Sequence, residues 1–277
     1  MQIFLTILVC LFASFFAGIG TGFVGMSAAV AITPILMGFL GLPHFEATAI
    51  SLAADVLASA GAAYMYHRHG NVDVKNGLVL LFTVIVFTFL GSLVAYYMPN
   101  TAMGIGTLVA ITLMGLKMLI FPHTRIGKSK EGLTKRRKIV YSIIFGALIG
   151  FVCGFVGAGG GMLLLLVLTV FLGYEMHKAV GTSVFVMTFS SFCGAAFHIL
   201  LESVLGGGNT TIELHLSPNF FNVMIICMMF TIVFSLLGSR FANYMSEKKL
   251  NIFSGIMLLF IAALVAFVQY ILPIIKA

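Results

Sequence analysis

The chain reads as an all-α, polytopic helical membrane protein built from two inverted repeats, each opening with a Gly-rich broken or re-entrant helix hairpin. Three observations carry that expectation. Apolar residues make up 61% of the 277 positions and charged residues only 8%, too little polar surface for a soluble domain but well suited to lipid. Residues 14–66 recur as 146–198, 132 positions on and without a gap. Seven of the 15 Lys and Arg fall between Arg125 and Lys138, a basic loop between apolar spans of the kind that faces the cytoplasm.

The repeat is visible residue by residue. Phe23-Val24-Gly25 returns as Phe155-Val156-Gly157, and Gly18 and Gly22 return as Gly150 and Gly154. Phe39-Leu40-Gly41 returns as Phe171-Leu172-Gly173, and Ala47 and Ser51 as Ala179 and Ser183. Later parts match at an offset of 147: Leu90-Gly91-Ser92 recurs as Leu237-Gly238-Ser239. An insertion between Gly206 and Pro218, carrying Glu213 and no Lys or Arg, accounts for the change of offset.

The apolar segments predict helices over 3–22, 26–41, 45–66, 75–97 and 101–120, then over 139–156, 160–172, 178–203, 218–240 and 249–272. The chain divides into repeat one (1–121), a basic cytoplasmic loop (122–138) and repeat two (139–277), all in one membrane domain. The second segment of each half is too short for a span of ~20 residues, and each opening pair joins at a glycine cluster. Pro34 weakens the short segment of the first half further. Each pair is therefore a hairpin, either re-entrant or made of tilted short spans. The apolar N-terminus lacks a basic n-region and its tail is copied internally, so it is expected to be structural rather than a signal peptide.

With the 122–138 loop inside and each hairpin returning to its own side, three crossings remain per half, and the halves must be inverted. Loop 67–75, with Arg68 and Lys75, then falls inside, whereas 204–217 falls outside. Arg240, Lys248 and Lys249 place loop 241–248 inside, and both termini are predicted outside. Cys10, Cys153, Cys193 and Cys227 lie in apolar segments without metal-ligand spacing and read as small hydrophobes. No metal or cofactor is expected.

Ala17-Gly18-Ile19-Gly20-Thr21-Gly22-Phe23-Val24-Gly25, the run from Gly150 to Gly161, and the following Ala47–Ser51 and Ala179–Ser183 resemble the sulfite exporter TauE/SafE family over essentially the whole chain. The resemblance implies a secondary carrier of small anions, often sulfur-containing ones such as sulfite or organosulfonates, in the bacterial inner (plasma) membrane. Met26-Ser27-Ala28-Ala29 departs from the fuller Ala158-Gly159-Gly160-Gly161 pattern, so the two turns are not chemically equal.

Where a helix breaks inside a membrane its free N–H groups must face protein, water or substrate, and a resuming helix favours anions. The substrate-binding candidates are Gly22, Gly25 and Ser27 at the first turn, Gly157, Gly159 and Gly160 at the second, and Ser51, Thr182 and Ser183 in the helices that follow. The glycines are equally compatible with tight helix packing alone.

Asp55 lies midway along its span, where a carboxylate costs ~2.5–3.5 kcal/mol on insertion scales. It shares a face with Thr48, Ser51, Ala58, Ser59 and Ala62, which belongs against the bundle interior. It is either a proton-coupling site or a hydrogen-bonded anchor. The matching face of repeat two runs Ser183, Met187, Ser190, Gly194 and His198, with Met187 in place of Asp55. His198 is a second proton-coupling candidate, or an interfacial partner of Glu202. Lys117 is expected to snorkel to the surface.

Neither an intramembrane aspartate pair, a His-Glu-x-x-His zinc site nor an ATP-binding Gly-x-x-x-x-Gly-Lys run is present, so neither an enzyme nor a self-powered pump is expected. A non-transporting membrane subunit or assembly factor is the alternative to transport. The partners implied are a small anion and membrane lipid, without nucleic acid; a homo-oligomer is compatible with the sequence.

Overall fold

The computed structural model describes residues 2–42, 44–96, 108–109, 112–113, 115–116, 119–120, 135–156, 160–205 and 220–271. Gly157, Gly159, most of the basic loop and the insertion carrying Glu213 lie outside the described residues, as do the side chains of Lys117, His198 and Glu202. The described residues form helices joined by short turns and loops and contain no strand. Repeat one supplies α1 (Gln2–Val24), α2 (Ala29–Ile35), α3 (His44–Arg68) and α4 (Val74–Tyr96). Described residues between Leu108 and Ile120 are also helical. Repeat two supplies α5 (Lys135–Val156), α6 (Gly161–Leu166), α7 (Met176–Leu205), α8 (Phe220–Tyr244) and α9 (Glu247–Ala266).

Six of these helices are long and apolar enough to cross a membrane. The expected short segments are short in fact. α2 widens into a π-helical stretch, Leu36–Leu40, and α6 into another, Val167–Phe171. Both return arms then end on a left-handed glycine at corresponding positions, Gly41 (φ 66°) and Gly173 (φ 68°). A π-turn is a rare local widening that recurs at functional sites, and here it occurs at the same place in both halves.

The halves are interlocked. α1 of repeat one packs along α8 of repeat two, and α5 of repeat two packs along α4 of repeat one. Along the first pair, the Ser14 hydroxyl donates to the Cys227 carbonyl (3.3 Å). Gly18 then sits against Thr231 and Ser235, and Gly22 against Ser235 and Ser239. Along the second, Gly146 sits against Leu80 and Thr83, Gly150 against Val84, and Gly154 against Thr88 and Ser92. Both pairs advance together, so each runs parallel. Gly22 and Gly154 are 132 positions apart, while Ser235 and Ser239 stand 147 beyond Thr88 and Ser92. The same contact is made twice with the halves exchanged, at the two offsets the repeat displays.

Chain direction follows from the ends. Asn243, at the end of α8, accepts a hydrogen bond from Asn71 Nδ2 (2.9 Å), just before α4 begins. Thus α8 finishes where α4 starts, and α1 and α5 run in opposite senses. Loop 69–73, the start of α7 and the end of α8 share one face of the bundle, joined also by His177 Nε2 donating to the Ala242 carbonyl (3.0 Å).

These pairs depend on bare backbone. A Cβ on Gly154 would overlap the Thr88 carbonyl oxygen, whereas one on Gly194 would meet only Thr88 Cγ2 at 4.0 Å. Gly154→Ala should therefore lower the melting temperature in detergent by roughly 5 °C or more, and Gly194→Ala should leave it nearly unchanged. Equal melting of the two variants would remove close helix approach as the reason for these glycines.

Candidate functional site

The first hairpin turns because α1 is stopped by a glycine. Gly25 adopts φ 67°, its N–H donates to the Thr21 carbonyl (3.0 Å) and the Met26 N–H to that of Gly20 (3.3 Å). This left-handed glycine cap satisfies the Gly20 and Thr21 carbonyls near the end of α1 inside the bundle. The amides that begin α2 need acceptors of their own, and α3 provides one.

Asp55, at mid-length of α3, is fully buried. Its Oδ1 accepts the Ala28 N–H at 2.7 Å. Its Oδ2 accepts the hydroxyls of Ser27 and of Ser191 on α7, each at 2.7 Å. Ser27 Oγ in turn accepts the Ala29 N–H (3.3 Å). The carboxylate therefore takes the place that an anion would take at the opening of α2 and joins that turn to the other half of the molecule. Each such bond to an ionised group is worth ~1.5–3 kcal/mol, and together they offset the insertion cost of the charge. Thr48, Ser51, Ala58, Ser59 and Ala62 are all buried with Asp55 on the inward face.

The second turn lies directly against the first. A Cβ on Gly161 would overlap the Gly25 carbonyl oxygen, and a Cβ on Gly25 would overlap the Ser183 hydroxyl. The bare backbones of the two turns thus meet at the centre of the bundle. Gly160, at φ 71°, packs against Cys153. Met187, the counterpart of Asp55, is buried, and its sulfur would stand 2.6 Å from a Cβ on Gly161. Apolar thioether therefore faces the second turn where carboxylate faces the first.

The remaining candidates separate. Ser51 Oγ donates to the Thr48 carbonyl (2.9 Å) and pairs with Thr33 Oγ1 (2.7 Å), tying α3 to the return arm. Ser183 Oγ donates to the Val180 carbonyl (2.8 Å) while lying against Gly25. Thr182 Oγ1 turns away and accepts the Asp73 N–H (3.0 Å). Gly22 packs on α8, and its carbonyl accepts the buried Tyr66 hydroxyl (3.0 Å). Gly25, Ser27, Gly160, Ser183 and Asp55 form the central group; Gly22, Ser51 and Thr182 frame it.

Ser191 escaped the sequence reading, which placed Ser190 on the inward face. Ser190 is buried and bonds the Met187 carbonyl of its own helix (3.1 Å). The missed signal was the repeat itself: Ser191 stands 132 positions after Ser59, one turn beyond the Asp55 position. Tyr66 carried no such signal, because its partner is a backbone carbonyl 44 positions away.

A buried carboxylate beside helix breaks in a polytopic apolar bundle is an arrangement that membrane transporters use. The profile of the family described as Sulfite exporter TauE/SafE matches residues 10–265, and the chain belongs to that family. The Bacillus subtilis (strain 168) protein named "Probable membrane transporter protein YdhB" is 25% identical over 173 residues, covering 62% of this chain and 71% of the relative. "Probable membrane transporter protein YunE" of the same organism is 22% identical over 196 residues, covering 66% of this chain and 72% of the relative. Comparison with solved structures returns no significant match.

Ser191→Ala removes one donor from the carboxylate and should cost roughly 1.5–3 kcal/mol. Thr188→Ala removes only a bond within α7 (Oγ1 to the Val184 carbonyl, 2.9 Å) and should cost under about 1 kcal/mol. A double-mutant cycle of Ser191→Ala with Asp55→Asn, read by thermal unfolding, should be clearly non-additive. Additivity would mean that the two side chains do not share a bond.

Proposed function

We propose that this protein is a secondary transporter of small anions, sulfur-containing ones such as sulfite or an organosulfonate, working by alternating access between two inverted repeats. The observation that carries the reading is the meeting of two broken-helix turns at a carboxylate held by both halves. Discontinuous helices at a repeat interface are where secondary carriers bind their substrates. Family membership and the reciprocal packing of α1 on α8 and α5 on α4 support it. The basic loop faces the cytoplasm and both termini face outside, in the bacterial inner membrane.

Asp55 couples protons to this cycle. While ionised, it occupies the Ala28 amide and the Ser27 and Ser191 hydroxyls, so a substrate anion finds those donors taken and a like charge beside them. Adding a proton to the carboxylate removes that charge and loosens its hold on the donors. The anion then accepts from Ser27 and the Ala28 amide, with the backbone at Gly161 close by against Gly25; Gly157, Gly159 and Gly160 complete the proposed binding set. One proton thus accompanies each anion. His198, whose side chain lies outside the described residues, is the second proton-coupling candidate.

The test is thermal stabilisation of the purified protein by sulfite, sulfonates, sulfate and small carboxylates at two pH values. A true substrate at about 100 times its Kd should stabilise by roughly 2.7 kcal/mol, more strongly at the lower pH. In Asp55→Asn that pH dependence should disappear, and proton-driven uptake into proteoliposomes should fall at least tenfold with expression unchanged. Uptake with the wild-type pH profile in Asp55→Asn would take this residue out of the mechanism. A panel without any stabilising anion, together with no flux, would favour a non-transporting subunit.

A further inference from the structure

On the face shared by loop 69–73 and the start of α7, repeat one is fastened to repeat two by side chains that the central site does not use. Asp73 caps α4: its Oδ1 accepts the Asn76 N–H (3.2 Å), three residues on, as an N-cap should. Its Oδ2 accepts the Tyr174 hydroxyl (2.7 Å) and Asn76 Nδ2 (2.8 Å). Asn76 Nδ2 also reaches the Tyr174 oxygen (3.0 Å), and the Asp73 N–H donates to Thr182. Lys178 stands over the Tyr174 ring, 5.7 Å from its centroid.

Burial alone would push the Asp73 carboxyl up, but bonds from Tyr174 and Asn76 and the Lys178 charge outweigh it and hold the group below its ordinary value. A depressed value means the bond is at full strength above the usual carboxylate range and weakens only as pH falls below it.

The fastening reaches both hairpins. Tyr174 is built into the base of the second, its N–H donating to the Leu168 carbonyl (2.9 Å) at the end of the return arm. Thr182 precedes Ser183, whose hydroxyl lies against Gly25 at the tip of the first. Within the loop, the Asn71 N–H donates to the Tyr66 carbonyl (2.9 Å), and the Tyr66 hydroxyl holds the Gly22 carbonyl. The Asn71 carbonyl oxygen rests on Gly181 so closely that a Cβ there would overlap it. Loop 69–73 therefore covers this end of the bundle beside the turns. The opposite end cannot repeat the device at the matching position, since Tyr174 corresponds to Leu42.

We infer that loop 69–73 is the gate on the basic face of this protein, held shut by Asp73 on Tyr174 and Thr182, and that release of this bond opens the hairpin turns to that side. The inference rests on the transport reading: in a carrier the contact between halves must break on one face at a time. Asp73 and Tyr174 are then positioning residues, acting on access and not on the anion.

Cys153 is a native reporter, buried against Gly160 at the second turn. With Cys10, Cys193 and Cys227 replaced by Ala, a membrane-impermeant sulfonated maleimide is applied from one face at a time, to right-side-out and to inverted vesicles. Tyr174→Phe, which removes one hydroxyl and keeps the ring, and Asp73→Ala should each raise the Cys153 labelling rate about tenfold, only from the face of Arg68 and Lys75. Labelling unchanged in both variants, or raised equally from the two faces as general loosening would do, overturns the gate. The labelling needs no substrate, so it is independent of anion flux measured in the same vesicles. Flux with unaltered labelling sinks the gate alone, whereas sided labelling without flux for any anion sinks the transport reading and leaves the sided closure standing.

Discussion

Everything at the centre of this protein depends on one carboxylate being satisfied away from water. A broken helix exposes amides that lipid cannot satisfy, and a buried carboxylate is a charge that lipid cannot solvate. Placed together, each removes the other's cost. Asp55 accepts from the opening of α2 and from α7 at once, so its ionisation is tied to the contact between halves.

The duplication then works as a packing rule. Gly22 on α8 and Gly154 on α4 are one contact made twice, and each half is completed by a helix from the other. Such interlocking leaves no half able to bury its own small-residue face. Around the two turns the halves differ in chemistry: Asp55 stands against Met187, Ser27 against a glycine and Tyr174 against Leu42. Architecture is shared, and chemistry is placed where the copies have diverged. The first turn faces a polar carboxylate, and the second turn's bare backbone faces a thioether.

The polar contacts sort by depth. At mid-length of α3 they gather on the Asp55 carboxylate. Near loop 69–73, Asn71 bonds Asn243, and Asp73 and Asn76 both bond Tyr174, side chain to side chain between halves. Near an interface such bonds can exchange with water at modest cost. Those at Asp55 join groups that are all buried.

The helical membrane class, the two-fold duplication, the short return arms and the central placement of Asp55 were all legible in the sequence, because hydropathy, period and glycine spacing are local properties that lipid reads directly. The turn at Gly25 was legible for the same reason. Partner choice was not. That Asp55 would take the Ala28 amide and Ser191, that Thr182 would turn to Asp73 while its neighbour Ser183 faced Gly25, and that Tyr66 would hold a carbonyl 44 positions away depend on how helices rotate and cross. Those angles are set by close approach at Gly22 and Gly154, between residues far apart in the chain. Only the packed tertiary structure decides which polar groups end within 3 Å of one another, because the apolar environment selects for every donor the acceptor that the packing happens to bring.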